Sequence, residues 1–128
     1  DKYNNGKNNT NVRFIESNLF ENIQEQKFNI IVSNPPYIRS DVINKLSKQV
    51  QNEPHLALDG GEDGLKFYKK IIEQACNYIE NGYLILEIGY DQKEDVENLL
   101  KENKNYSEIK TIQDFSGNDR CVVAKVCI

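Results

Sequence analysis

The stretch Phe28-Asn29-Ile30-Ile31-Val32-Ser33-Asn34-Pro35-Pro36-Tyr37 decides how the rest of the chain is read. Phe28 to Val32 is a near-continuous apolar run of strand length. Such a run fits a strand buried in a parallel sheet, where neither face alternates toward water. The run ends at Val32, and Ser33, Asn34, Pro35 and Pro36 follow. Proline has no N–H and fixes φ, and Pro36 also drives Pro35 toward extended backbone. The segment after the strand is therefore a stiff loop whose carbonyls are not tied into a helix. Open α/β sheets bind ligands beyond the carboxyl ends of their strands. This loop stands where a site is expected.

The residue types in the loop suit one kind of chemistry. A planar nitrogen, whether amide or aromatic amine, is a poor nucleophile because its lone pair is delocalised. To methylate it, an enzyme accepts hydrogen bonds from both N–H groups and turns the lone pair toward the methyl. Asn34 offers a side-chain carbonyl acceptor, and an N–H₂ donor as well. The Pro35 carbonyl supplies a second acceptor. Tyr37 offers a flat face for an amide or a base. No general base is required, because the methylated nitrogen becomes acidic and loses its proton to water. Positioning of this kind supplies roughly 7–11 kcal/mol in favourable cases. The plainer reading, a turn after a strand, is outweighed by the strand that precedes it.

Working outward, residues 1–11 are polar and rich in Asn and Gly, and read as a solvated lead-in. Val12 to Ile15 reads as a short strand. Ser40 or Asp41 is expected to cap a helix running to about Lys48, and residues 50–62 read as irregular. Leu65, Tyr68, Ile71, Ile72, Ala75, Cys76 and Ile79 fall at helical spacing, and Asn81-Gly82 is the expected stop. Tyr83 to Ile88 reads as another buried strand. Asp91 is the expected cap of a helix that carries Val96, Leu99 and Leu100 on one face. Strands near 106–114 and 120–127 close the chain around Ser116-Gly117-Asn118. The alternation predicts an α/β domain with a largely parallel sheet. The final strand pair, joined by a short turn, must be antiparallel.

A chain of 128 residues suits one domain. Its net charge of −4 argues against duplex DNA as the main partner, because that affinity comes largely from neutralising phosphates. No apolar run approaches the ~20 residues that span a bilayer, and there is no secretory signal pattern. Cys76, Cys121 and Cys127 are odd in number and lack CxxC spacing, so neither zinc nor a disulfide framework is expected. They read as buried apolar thiols of a reducing cytoplasm. His55 is the only histidine, which leaves no support for a Ser-His or Cys-His system. Glu87, a carboxylate in a buried strand, needs a partner and is expected to anchor the Asn34 loop. Glu53-Pro54 reads as a cap or surface turn or as a shaper of the substrate loop, and Asp119-Arg120 as an ion pair or turn. Phe67 and Tyr68 are expected in the core, with Lys66, Lys69 and Lys70 on a solvated face.

Asn-Pro-Pro-Tyr alone is shared by methyltransferases of amide and exocyclic nitrogens, and the surrounding residues narrow the choice. Asn34-Pro35-Pro36-Tyr37-Ile38, Glu53-Pro54, Ala57-Leu58, Gly60-Gly61-Glu62-Asp63-Gly64-Leu65 and Tyr68 closely resemble the HemK/PrmC pattern. Leu86-Glu87-Ile88-Gly89 with Gln92, then Asp114, Gly117, Asp119 and Arg120, continue it. The resemblance covers roughly residues 12 to 126. It implies a release factor glutamine methyltransferase that uses S-adenosylmethionine in the cytoplasm. It implies a class I (Rossmann-like) methyltransferase sheet in the order 3-2-1-4-5-7-6. It also implies that Asn34 and Pro35 hold the substrate amide, with Pro36 and Tyr37 completing the substrate loop. Asn18-Leu19, together with Asn34, would lie on the cofactor side, beside the adenine. The family usually has an acidic residue where Asn18 stands, so one carboxylate acceptor is missing.

The family's glycine-rich cofactor loop and first two strands have no counterpart in these 128 residues. Gly60 to Gly64 is no substitute, because it lacks a preceding buried strand and reads as a loop entering a helix. The first residue is not methionine. Residues 12–128 are therefore read as the C-terminal part of a methyltransferase domain, strands 3 to 7, inactive alone. Strand 4 would then have an open apolar edge, and strand 3 is expected to redock there or two copies to pair. Two rival readings are a nucleic-acid adenine methyltransferase acting on a flipped base and a non-catalytic binding fragment.

Overall fold

The computed structural model describes residues 11–43 and 59–127. Its elements are β1 (Phe28–Ser33), α1 (Ser40–Ile43), α2 (Lys66–Ala75), β2 (Ile79–Glu87), α3 (Lys93–Lys101), β3 (Tyr106–Gln113) and β4 (Asp119–Cys127). The four strands form one sheet in the order β1-β2-β4-β3. β1 and β2 are parallel, and β4 runs antiparallel to both β2 and β3. Three strands thus point one way and β4 alone reverses. The order matches the 4-5-7-6 run of a class I methyltransferase sheet. The sheet here is mixed rather than mostly parallel by pairing, since two of its three ladders involve β4.

Both long helices bury one stripe against the same sheet face. Gly82, Leu84 and Leu86 of β2 lie opposite Val126, Ala124 and Val122 of β4. Tyr68, Ile71, Ile72 and Ala75 of α2 and Val96 and Leu100 of α3 close over them in one core. Each fully buried aliphatic side chain contributes about 1.5–3 kcal/mol. The core phenols reach backbone acceptors. The Tyr68 hydroxyl donates to the Glu87 carbonyl at 2.6 Å and that of Tyr106 to the Ile72 carbonyl at 2.6 Å. Burial, the largest cause, pushes both phenols well above the usual tyrosine range, so both remain donors.

Several expectations change. Val12 to Ile15 is not a strand, and those residues stay outside the sheet with Val12, Phe14 and Ile15 exposed. Apolar alternation specifies a face but not a ladder partner, and strand 3 has none here. It does not redock on β1. The apolar runs of β1 and β2 are not buried on both faces either. Ile30 is 54% exposed and Val32 69%, because no second layer of the described residues covers that side.

Helix α2 ends at Ala75, not at Asn81-Gly82. Asn77 and Tyr78 N–H groups close a tight turn on Gln74 and Ala75, and the Phe28 N–H donates to the Tyr78 carbonyl at 2.7 Å. That bond draws Ile79 into β2 beside Phe28. Gly82 is mid-strand, where a Cβ would stand 1.8 Å from the Asn29 carbonyl oxygen. It admits β1 at the register shift between Phe28 and Ile30.

At α3 the capping position falls to Gln92 rather than Asp91, with no side-chain cap bond. At α1 the Ser40 hydroxyl donates to Asp59 Oδ1 at 2.6 Å. The extension of α1 to Lys48, and Glu53-Pro54, His55 and Ala57-Leu58, lie outside the described residues. Of the thiols, Cys76 is buried, Cys121 half-buried and Cys127 exposed at the end of β4, so uniform burial does not hold. No helix among the described residues is long and apolar enough to cross a membrane.

Candidate functional site

Because β1, β2 and β3 share a direction, the segments that follow them gather at one end of the sheet. These are the Asn34 loop, the Gly89–Gln92 turn and the Asp114–Asn118 turn. A cavity of about 840 Å³ opens beside the first of them, lined by Asn18, Leu19, Asn34, Pro35 and Pro36 among others. The residues expected on the cofactor side and those expected to hold the substrate amide therefore line one space. Asn34 is exposed and Pro35 buried. Among the described residues the Asn34 amide has no hydrogen-bond partner, so its acceptor and donors face the cavity uncommitted.

Tyr37 is placed apart. It lines a second cavity of about 410 Å³ with Arg39, Tyr90 and Arg120. Its ring lies against Gly89, where a Cβ would come within 3.0 Å of Tyr37 Cε2.

The loop is held by backbone bonds to the glycine-rich segment. The Gly60 N–H donates to the Ile38 carbonyl at 2.8 Å, and the Ser40 N–H to the Gly61 carbonyl at 3.0 Å. Gly60 packs directly on the Pro36-Tyr37 backbone. Gly60 to Gly64 is thus a loop entering α2, as its sequence suggests, and it braces the Asn34 loop. The Glu87 side chain makes no bond to that loop among the described residues. Its backbone carbonyl serves Tyr68 instead. Gln92 provides the anchor expected of Glu87, with Nε2 3.2 Å from the Tyr37 carbonyl.

Across the cavity the Asn18-Leu19 turn is locked locally. The Ser17 hydroxyl donates to the Leu19 carbonyl at 2.8 Å and accepts from the Asn22 N–H at 2.9 Å. Phe20 stacks on Tyr78 with centroids 4.7 Å apart, tying the turn to the body of the fold. Leu19 sits at φ 55°, a left-handed conformation that costs a non-glycine residue about 1–3 kcal/mol.

Lys66, Phe67 and Lys70 line the same cavity, which the sequence reading did not assign. Both ammonium groups stand over the Phe67 ring, at 5.3 and 5.8 Å from its centroid. Helical spacing placed the lysines on an open flank, but it could not say that this flank borders Asn34. Lys69, on the other side, pairs with Asp63 at 2.9 Å. Asp119 and Arg120 are not each other's partner. Arg120 Nη2 meets Asp114 Oδ2 at 3.1 Å, and the Asp114 Oδ1 accepts from the Ser116 and Asn118 N–H groups. Those backbone bonds, led by Asn118, and the guanidinium hold the Asp114 carboxyl below its usual range.

The model of the family described as Eco57I restriction-modification methylase matches residues 1–121. The chain belongs to the Eco57I restriction-modification methylase family. Among curated relatives, a release factor glutamine methyltransferase of Fusobacterium nucleatum is 46% identical over 121 residues, covering 92% of this chain and 34% of that protein. A release factor glutamine methyltransferase of Thermodesulfovibrio yellowstonii is 42% identical over 115 residues, covering 88% of this chain and 41% of the relative. These relatives bear out the resemblance to HemK/PrmC-type enzymes. The family member described here spans about a third to two fifths of their length. A methyltransferase of Pyrococcus furiosus superposes with a TM-score of 0.68 at 22% identity, covering 99% of this chain and 56% of that one. That likeness establishes a partial class I methyltransferase fold for the family member.

Asn18 offers a polar edge and Leu19 an apolar surface to this cavity, and the uncommitted Asn34 amide faces the same space. The glycine-rich segment Gly60 to Gly64 is not part of this cavity's lining.

Proposed function

We propose that the protein bearing this chain is a cytoplasmic protein-(glutamine) N-methyltransferase acting on peptide-chain release factors in translation termination. The observation that carries this reading is the Asn34-Pro35-Pro36 segment at the carboxyl end of β1, sharing one cavity with Asn18 and Leu19. S-adenosylmethionine, when bound, supplies an electrophilic methyl group. Asn34 Oδ1 accepts one N–H of the substrate amide and the Pro35 carbonyl accepts the other. Holding both N–H groups in fixed directions turns the nitrogen lone pair out of conjugation and toward the cavity. Pro35 and Pro36 keep those acceptors from relaxing, so the loop is preorganised before substrate arrives. The proton leaves to water after transfer, and no side chain here needs to act as base. Asn18 and Leu19 hold the adenine side, and Tyr37 supports the loop from the far cavity.

The relatives and the net charge of −4 favour a protein substrate over nucleic acid. The open β1 edge of the sheet offers unpaired backbone groups to a second copy of this chain. The test uses the complete protein with methyl-labelled cofactor, offered release factor or duplex and single-stranded DNA. Label on a single glutamine of the release factor is the expected result. Label on adenine with none on release factor overturns the reading.

A further inference from the structure

We propose that Gln92 is a positioning residue that sets the geometry of the Asn34 loop, an inference that rests on the function proposed above. Gln92 is 7% exposed and is the buried polar side chain of the described core. It occupies the capping position of α3 yet makes no side-chain bond to its own helix. Residues there normally cap the exposed N–H groups that follow. The Gln92 amide turns away and meets three other segments.

Its Oε1 accepts from the Gly89 N–H at 2.8 Å. That bond fixes the orientation of the amide, because a flipped group would set N–H against N–H. Both Nε2 hydrogens then point at carbonyls. One is that of Tyr37, 3.2 Å away and 55 residues distant in sequence, and the other that of Gly64, at 3.2 Å and 28 residues. The Tyr68 hydroxyl, whose proton goes to Glu87, stands 3.5 Å from Oε1. One amide therefore ties the Tyr37 end of the substrate loop to the glycine-rich loop and to the turn after β2. Between Tyr37 and Asn34 lie two prolines, so a shift at the Tyr37 carbonyl is transmitted to the acceptors rather than absorbed. Misplacement by about 1 Å at such a site costs on the order of 100-fold in rate.

Gln92→Glu separates this role from simple packing. Its shape is nearly unchanged and the Gly89 bond survives, but an ionised oxygen replaces the Nε2 donor and faces two carbonyls. Protonation of that carboxyl returns one hydrogen to donate. The experiment compares the complete protein with its Gln92→Glu and Gln92→Met variants across pH. It reads kcat, KM for each substrate, and amide hydrogen exchange over residues 34–40 and 60–65.

At neutral pH the Glu variant is expected to lose about 100-fold in kcat, with little change in KM for S-adenosylmethionine, and to exchange faster in both loops. Relative to the unsubstituted protein at the same pH, rate and protection recover on acidification. The Met variant, uncharged and similar in size, shows the same loosened loops with no recovery. Unchanged exchange in both variants, or a Glu-to-unsubstituted rate ratio flat with pH, overturns the proposal. If the unsubstituted protein fails to methylate release factor, the functional reading falls, while exchange still decides whether Gln92 holds the loop.

Discussion

Asn34 combines two properties that rarely coincide in a structural residue. It follows a sheet strand directly, and its amide has no partner among the described residues. Removing it should therefore harm chemistry and spare the fold. In the complete protein, Asn34→Ala is expected to lower kcat about 100- to 1,000-fold, the usual cost of one preorganised polar contact, with an unchanged thermal midpoint. Steady-state kinetics beside a melting curve checks both.

Asp114 is the opposite case, fully committed to its turn. Its folded pKa lies below the ordinary 3.8. The stabilisation is therefore present above that value and lost as pH falls through the lower, folded one. Titration of the Asp114 carboxyl carbon should give a midpoint under 3.8. Arg120→Ala should raise it only in part, because the Asn118 N–H is the larger cause. Asn34 and Pro35 were legible as site candidates from residue type and the strand ahead of them. Gln92 was visible only as part of a pattern, since an amide's partners depend on which loops meet it.

At the scale of elements, the β1–β2 junction shows what periodicity misses. Ile79 continues the helical spacing of α2, and Asn81-Gly82 has the composition of a helix stop, yet all three lie in β2. The pairing of Phe28 with Ile79 and its neighbours outweighed local preference, and such pairing is a long-range event. Gly82 and Gly117 separate two reasons for glycine. At Gly82 a Cβ would meet the Asn29 carbonyl oxygen at 1.8 Å, whereas at Gly117 it would meet nothing within 4 Å but φ is 85°. Gly117→Ala is expected to cost about 1–2 kcal/mol from backbone strain alone. Gly82→Ala should cost about 3 kcal/mol, because backbone must move, and it should raise exchange specifically along β1. Denaturant melts with residue-resolved exchange distinguish them. The hairpin of β3 and β4 was foreseen nearly to the residue, since its turn chemistry is local: Asp114, Gly117 and Asn118 close it within five positions.

At the scale of the whole molecule, four strands carry one covered face and one open one. Ile30 and Val32 remain exposed on β1, and Tyr83 is 41% exposed on the neighbouring strand. The cavity beside Asn34 is lined by the Asn18-Leu19 turn, the proline loop and the Lys66-Phe67 end of α2 with Lys70. Calorimetric titration of S-adenosylmethionine into this chain, beside a version extended upstream through the relatives' additional length, should show binding only to the longer one. Heat of binding to the 128-residue chain would mean that Asn18, Leu19 and the Asn34 loop make a complete cofactor site.

From sequence alone came the α/β class, the antiparallel closing pair, the amphipathic faces of α2 and α3, and the position of Asn34-Pro35-Pro36-Tyr37 as a loop beyond the end of a strand. Each rests on spacing or residue type, which a chain displays before it folds. Tertiary structure decided that Val12 to Ile15 stays outside the sheet and that β1 is covered on one face only. It also decided that Lys66 and Lys70 border the Asn34 cavity and that Gln92, not Glu87, holds the loop. Those outcomes depend on which distant segments compete for the same backbone bonds and the same buried volume, and no local pattern records that competition.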